Sequence, residues 1–238
     1  KNGWQGYGYP YQKKYGAFHY LSFAVSERLE ISAFEVINWQ GRDSTHYRNF
    51  ELAYLNPVIF FRPVEWSVGS PDNAMIGLNL SYKFMPQSYV YGQLLFDEFN
   101  SLKIYDFKTG YSSNKYAGQL GIKTRFEVRS RIESGMTSSL KEYLFLQSEF
   151  NFARPYTYSY VSSKSSYGHM NFSLAHPLGA NFMEWVNFVR LGWGRWTFEG
   201  RYSWAKFGAE EEGSNYGHDI FLPYNYDTEL TGVFIGYG

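Results

Sequence analysis

An all-β, antiparallel transmembrane β-barrel is the fold this sequence predicts, and three observations predict it. Apolar and polar residues alternate with period two in segment after segment, aromatic residues make up 21% of the chain, and short polar turns alternate with long loops. Successive side chains of a strand point to opposite faces, so the alternation separates an apolar surface from a polar one. The aromatic excess, with 23 Tyr, 21 Phe and 7 Trp, suits strands and membrane interfaces, where a ring with a polar edge sits half wet.

Weak alternation from Ala17 to Val25 and from Ile31 to Trp39, joined by Ser26, Glu27 and Arg28, predicts a first hairpin. From Gln40 to Asn73 the pattern breaks. Asn56-Pro57, Arg62-Pro63 and Ser70-Pro71 punctuate this stretch as a long loop, because proline cannot sit inside a sheet. The clearest hairpin runs from Ala74 to Met85 and from Tyr89 to Phe99, turning at Met85-Pro86-Gln87-Ser88. Its apolar face is Ile76, Leu78, Leu80, Tyr82 and Phe84, continued by Val90, Leu94 and Phe96; Tyr89, Tyr91, Gln93 and Asp97 face the other way.

Lys115 to Val128 sets Tyr116, Leu120, Ile122 and Phe126 against Gln119, Lys123, Arg125 and Glu127, and Leu144, Leu146, Phe150 and Phe152 oppose Gln147, Glu149 and Asn151. A second long loop, Ala153 to Asn181, is crowded with Tyr, Ser, His and Pro. Phe182 to Leu191 is apolar without clean parity. Trp196, Phe198, Tyr202 and Trp204 then face away from Thr197, Glu199, Arg201 and Ser203, and Thr231 to Tyr237 is the last candidate strand after a third long loop. The count is about nine strands. The residues expected to face lipid are Ile76, Leu78, Leu80, Leu94, Phe96, Leu120, Ile122, Leu144, Leu146, Trp196, Phe198 and Trp204. Trp196 and Trp204 are eight residues apart, about 27 Å along a strand and about 21 Å along the membrane normal at a tilt of about 40°, roughly the separation of two aromatic girdles. A β-sandwich also alternates and is the competing fold; it would bury the apolar face against a second sheet.

Whole-chain numbers narrow the function classes. Lys plus Arg equals Asp plus Glu at 22 each, which leaves no overall field to attract nucleic acid. Cysteine is absent, which excludes disulfides and thiolate chemistry. No run approaches the roughly 18 apolar residues of a transmembrane helix, and Lys1 to Pro10 has no apolar signal core. A β-barrel passes this test, since only alternate residues of a strand must be apolar. One domain is expected over 1–238.

Several separated motifs resemble the Wzi capsule-assembly family, and more closely its gliding-associated outer-membrane relatives in Bacteroidetes-type bacteria. They are Leu55-Asn56-Pro57-Val58-Ile59-Phe60-Phe61-Arg62, then Val64-Glu65-Trp66-Ser67-Val68-Gly69-Ser70-Pro71-Asp72-Asn73, and Tyr91-Gly92-Gln93 with Asp97-Glu98-Phe99. Arg154-Pro155-Tyr156-Thr157-Tyr158 and Ala175-His176-Pro177-Leu178-Gly179-Ala180-Asn181 complete the set. The resemblance implies a barrel of about 18 strands that organises capsular or exopolysaccharide in the outer membrane of a Gram-negative bacterium. This chain would then be about half of that wall, incomplete at both ends. The implied partners are outer-membrane lipid, lipopolysaccharide, surface polysaccharide and other outer-membrane proteins.

No catalytic motif is present: there is no Gly-x-Ser-x-Gly elbow, no His-Glu-x-x-His pair, no phosphate loop and no dinucleotide fingerprint. Asp97 and Glu98 are adjacent, so on a strand they point to opposite faces and are poorly placed as a glycosidase pair. No enzyme, cofactor or metal site is expected. His169, His176 and His218 lack converging ligands, and Glu210, Glu211 and Glu212 read as a hydrated charge run with divalent-cation binding near lipopolysaccharide as the alternative.

Glycan binding is the better-motivated chemistry, since aromatic faces stack on sugar C–H patches while planar polar groups meet hydroxyls. The candidates are Arg62, Glu65, Trp66, Asp72 and Asn73 in the first long loop and Arg154, Tyr156, Tyr158, His169, Asn171 and His176 in the second, with Tyr160 and Tyr167 nearby. The alternative role for these residues, and the weightier one, is bracing a folded-in loop, with the tyrosines in a girdle. The function expected is non-catalytic anchoring of polysaccharide. A subunit of a larger secretion or nutrient-uptake complex and a porin-like channel are the alternatives.

Overall fold

The structure is a computed structural model that describes residues 13–41, 50–55, 72–99, 114–131, 140–208 and 215–223. It is all-β, built on one antiparallel sheet of eight strands. These are β1 (Lys14–Ala24), β2 (Leu29–Gln40), β3 (Asn73–Met85), β4 (Ser88–Phe99), β5 (Asn114–Arg131), β6 (Leu140–Ala153), β9 (Phe182–Trp193) and β10 (Trp196–Phe207). They pair in sequence order, and a separate small hairpin, β7 (Gly168–His169) with β8 (Phe172–Ser173), lies in the connection between β6 and β9. The ninth predicted strand, Thr231 to Tyr237, falls outside the described residues. Among the described residues β1 pairs with β2 alone and β10 with β9 alone, so the sheet is open at both edges.

Turn chemistry explains three of the hairpins. The Ser26 hydroxyl accepts from the backbone N–H of Arg28 at 3.2 Å and of Leu29 at 3.0 Å, which folds β1 back onto β2. Pro86 and Gln87 join β3 to β4. Gly194 and Arg195 join β9 to β10, with Trp193 opposite Trp196 and Gly194 at φ 61°, the left-handed conformation that a two-residue hairpin needs.

The register gathers the residues predicted to face lipid onto a single face. Ile76 lies opposite Phe96, Leu78 opposite Leu94, Leu144 opposite Leu191, Leu146 opposite Val189, Phe198 opposite Leu191 and Trp204 opposite Trp185. Leu80, Leu120, Ile122 and Trp196 share that parity. This face is uncovered: Leu78 is 52% exposed, Leu120 62% and Phe198 55%, where the sandwich alternative requires a second sheet on top of them. Ser148, a polar residue on the same face, accepts from the Trp185 indole N–H at 2.8 Å. The face ends toward the long loops, where Glu35 lies opposite His19. Beyond that row Ile37, Trp39 and Ala74 are buried under the 3-10 turn Leu52–Leu55, whose Tyr54 ring packs 5.0 Å from that of Trp39.

The opposite face is polar toward the short turns and apolar at the loop end. There Val36, Met75, Leu95, Ala117, Ala153 and Phe182, all of one parity, meet Tyr158, Ala180, Ile220 and Phe221 in a small core. The mixed parity of β9 has its cause here: Phe182 joins this core and Val186 is buried on the same polar face, while Trp185 and Val189 are exposed on the other. Farther from the loops, Tyr91 donates to Glu149 Oε2 at 2.6 Å and accepts from Gln147 Nε2 at 2.8 Å. The Tyr91 ring lies over Gly121, where a Cβ would stand 2.3 Å from it. Gly121→Val is therefore expected to push Tyr91 off its partners and cost about 1–3 kcal/mol, as overpacking does, measurable as a lower urea midpoint for unfolding in detergent.

Candidate functional site

The second long loop is a strap across the loop end of the polar face, held by one polar side chain after another from the strand ends beneath it. It leaves β6 at Arg154, whose backbone N–H donates to Tyr116 O at 3.0 Å, and the Thr157 hydroxyl donates to the same oxygen at 3.3 Å. Tyr158 N–H donates to Asp97 Oδ2 at 2.7 Å, and Lys115 Nζ donates to Ser159 O at 3.0 Å. Gln40 Nε2 donates to the Ser162 and Ser165 hydroxyls, each at 2.9 Å, and Asn73 Nδ2 donates to Ser165 O at 3.0 Å. Lys14 Nζ, on the edge strand β1, reaches Ser166 O and, at 3.1 Å, Gly168 O. A segment that begins between β6 and β9 is thus tied to β5, β4, β3, β2 and β1.

The strongest electrostatic element of this seam is Lys115 with Asp97, 3.5 Å apart and both side chains 0% exposed. Asp97 is the extra residue of a β-bulge, since Phe96 pairs with Tyr116 and Glu98 with Lys115. A bulge re-aims a side chain, and here it turns the carboxylate toward the strap. Burial of the Tyr158 ring, with Asp97 and Tyr167 beside it, raises the phenol far above its ordinary range, so it stays neutral. Tyr167 is raised by burial too.

The strap returns to the sheet through His176, which stacks on Phe182 at 4.3 Å and meets Glu184 at 3.0 Å. Burial pulls the imidazole below its ordinary pKa, with Glu184 acting in the opposite sense. Residues 215–223 lock the return: Tyr156 N–H donates to Gly217 O at 2.9 Å, Tyr156 OH to Asn215 O at 2.7 Å, and Asn181 Nδ2 to Tyr216 O at 3.0 Å. Tyr156 and Tyr158 both adopt left-handed backbone, φ 65° and 71°, an unfavourable state for tyrosine that these contacts hold in place.

The sequence-predicted glycan residues divide sharply. Arg62, Glu65 and Trp66 lie outside the described residues. Asp72, Asn73, Arg154, Tyr156 and Tyr158 are buried, between 0% and 9% exposed, and present no face to the surroundings. Asp72 accepts from Tyr54 OH at 2.6 Å, and the Arg154 guanidinium lies 5.1 Å over the Tyr116 ring. Bracing, not surface contact, is what their burial supports. His169 and Asn171 are exposed on the β7–β8 hairpin, beside Met170 and Phe172 at 75% and 76% exposure, and His176 is half-buried. Sequence reasoning missed Lys14, Gln40 and Lys115 as anchors. The available signal was a polar residue on the polar parity at the loop end of each of β1 to β5.

Between strap and sheet lies a cavity of about 420 Å³. Its floor includes Asn79, Gln93, Gln119 and Asn151, consecutive neighbours across β3 to β6, and Tyr158, Tyr167, Leu174 and His176 overhang it from the strap. Compared with known proteins, the chain matches no family model, no curated protein and no solved structure.

Proposed function

We propose that this chain is part of the wall of a Gram-negative outer-membrane β-barrel that anchors or organises capsular or exopolysaccharide at the cell surface by non-covalent contact. The observation that carries the reading is the uncovered apolar face, continuous over the eight strands and opposed by a polar face bearing Lys83, Lys123, Glu149 and Arg201. Exposed apolar area on that scale is costly in water and favourable against hydrocarbon chains. Long connections all leave one end of the strands, as the outer loops of such barrels do. Two open edges do not persist in lipid, so further strands complete the wall, in line with the resemblance of the Leu55–Arg62, Val64–Asn73 and Arg154–Tyr158 motifs to the Wzi family and its barrel of about 18 strands. The strap lies over the loop end of the polar face, which favours a holding role over a porin-like channel.

The open edges favour one second reading, a wall that docks into a larger outer-membrane secretion or uptake complex. Deleting the gene separates the two. Loss of surface polysaccharide with secretion and uptake intact is the expected result. Unchanged polysaccharide retention, together with no glycan binding by the purified protein, would refute the anchoring role.

A further inference from the structure

The cavity beneath the strap has a composition that selects a ligand. Asn79, Gln93, Gln119 and Asn151 form a cross-strand row, each in register with the next, and so set side-chain amides roughly 4.8 Å apart over four strands. Each amide offers a donor and an acceptor, and the row is only partly consumed internally: Gln93 Nε2 donates to Asn79 Oδ1 at 2.7 Å and Asn151 Nδ2 to Glu149 Oε1 at 3.0 Å. Gln93 is exposed, so the row is reachable from the polar face.

One row nearer the loops the floor turns apolar, at Leu95 and Ala117, and aromatic side chains stand around it, Tyr158 and Tyr167 from the strap and Phe18 and Tyr20 from β1. Among the described residues no lysine or arginine lines the cavity. Among the described residues the acidic one lining it is Glu35, which the register places on the opposite parity, and Glu184, the partner of the lining His176, already engages His176 and Arg201. Phosphate or carboxylate groups would enter with no lysine or arginine among these residues to meet them, and a lipid tail would strand the amides without partners. A volume of about 420 Å³ lies within the ordinary range of small-ligand sites.

From this juxtaposition of an amide row, an apolar ledge and aromatic walls, we infer that the cavity binds an uncharged saccharide segment, with hydroxyls on the Asn79–Gln93–Gln119 row and a ring face against Tyr167, the half-buried tyrosine of the strap. The inference deepens the polysaccharide-holding role and rests on it. It adds a binding position inside the strap and a preference for neutral over uronic sugars.

The test is calorimetric titration of the full chain, purified in detergent, with maltotriose, mannotriose and chitotriose as neutral probes and trigalacturonic acid as the acidic one. Saturable binding of at least one neutral trisaccharide is expected, weakened about tenfold by Gln119→Leu, with trigalacturonate binding more weakly than the neutral probe. Gln119→Leu must keep the protease resistance of the strap, and Gln93→Ala serves as the second variant should it not. Neutral binding unchanged in the folded variants, equal or tighter trigalacturonate binding, or no saturable neutral binding would overturn the inference. Deletion phenotypes keep the two claims apart. Lost polysaccharide retention alongside unaltered binding in the variants discards this site and leaves the anchoring role standing.

Discussion

Lys115→Met is expected to release the strap. The substitution removes the cation facing a carboxylate that is 0% exposed, and it removes the donor to Ser159 O. Breaking one side of a buried ion pair costs about 3–5 kcal/mol, most of it from the charge left behind. Asp97 keeps the Tyr158 N–H as a donor, so the cost falls toward the lower end of that range. The measurement is limited proteolysis of the folded protein in detergent, with cleavage between Arg154 and Asn181 increasing while the strands stay protected. Lys115→Met combined with Asp97→Asn is expected to recover part of the loss, because the charge is gone and Asn retains an acceptor for Tyr158. Equal loss in the single and double variants would mean that packing of the Lys115 stem, not its charge, holds this seam.

Leu120→Arg is expected to have the second large effect, and only in lipid. Leu120 lies mid-strand on the apolar face, opposite Gly92 on one side and Phe150 on the other. Against hydrocarbon, an arginine near the bilayer midplane costs about 2–4 kcal/mol. On an exposed water-facing strand such a change stays within about 0.5 kcal/mol. Ser203→Arg, on the polar face of β10, is the matched control and is expected to be nearly neutral. Reversible urea unfolding in phospholipid vesicles reads the difference directly.

The strands were legible because period two is a local property. Ile76, Leu78 and Leu80 against Gly77, Asn79 and Ser81 needs nothing beyond adjacent residues, and the register confirms that parity across β3, β4 and β5. Short turns were legible for the same reason, in Ser26 and in Pro86-Gln87. The strap was not. Its order comes from single side chains of distant strands, Lys14 and Asn73 among them, reaching backbone carbonyls that no sequence spacing encodes. Nor could composition separate a tyrosine that braces from one that meets a ligand: Tyr156 and Tyr167 occupy the same Tyr-rich loop, yet one is fully buried and the other overhangs a cavity. The bulge that aims Asp97 at Tyr158 also leaves no sequence trace, since an extra residue in one strand appears only once its partner is known. Among the described residues β1 pairs with β2 alone and β10 with β9 alone, and strand periodicity says nothing of what lies beyond those edges.

Contact of the Leu78–Leu80 face with hydrocarbon is directly measurable, because this chain has no cysteine. Single cysteines placed in turn at positions 76 to 83 of β3, spin-labelled and reconstituted in phospholipid vesicles, report collision with oxygen, which concentrates in the bilayer, and with a water-soluble nickel chelate. Oxygen accessibility that peaks at 76, 78, 80 and 82, with nickel accessibility confined to 77, 79, 81 and 83, is the expected result. Nickel reaching the labels at 78 and 80 as freely as those at 79 and 81 would contradict it.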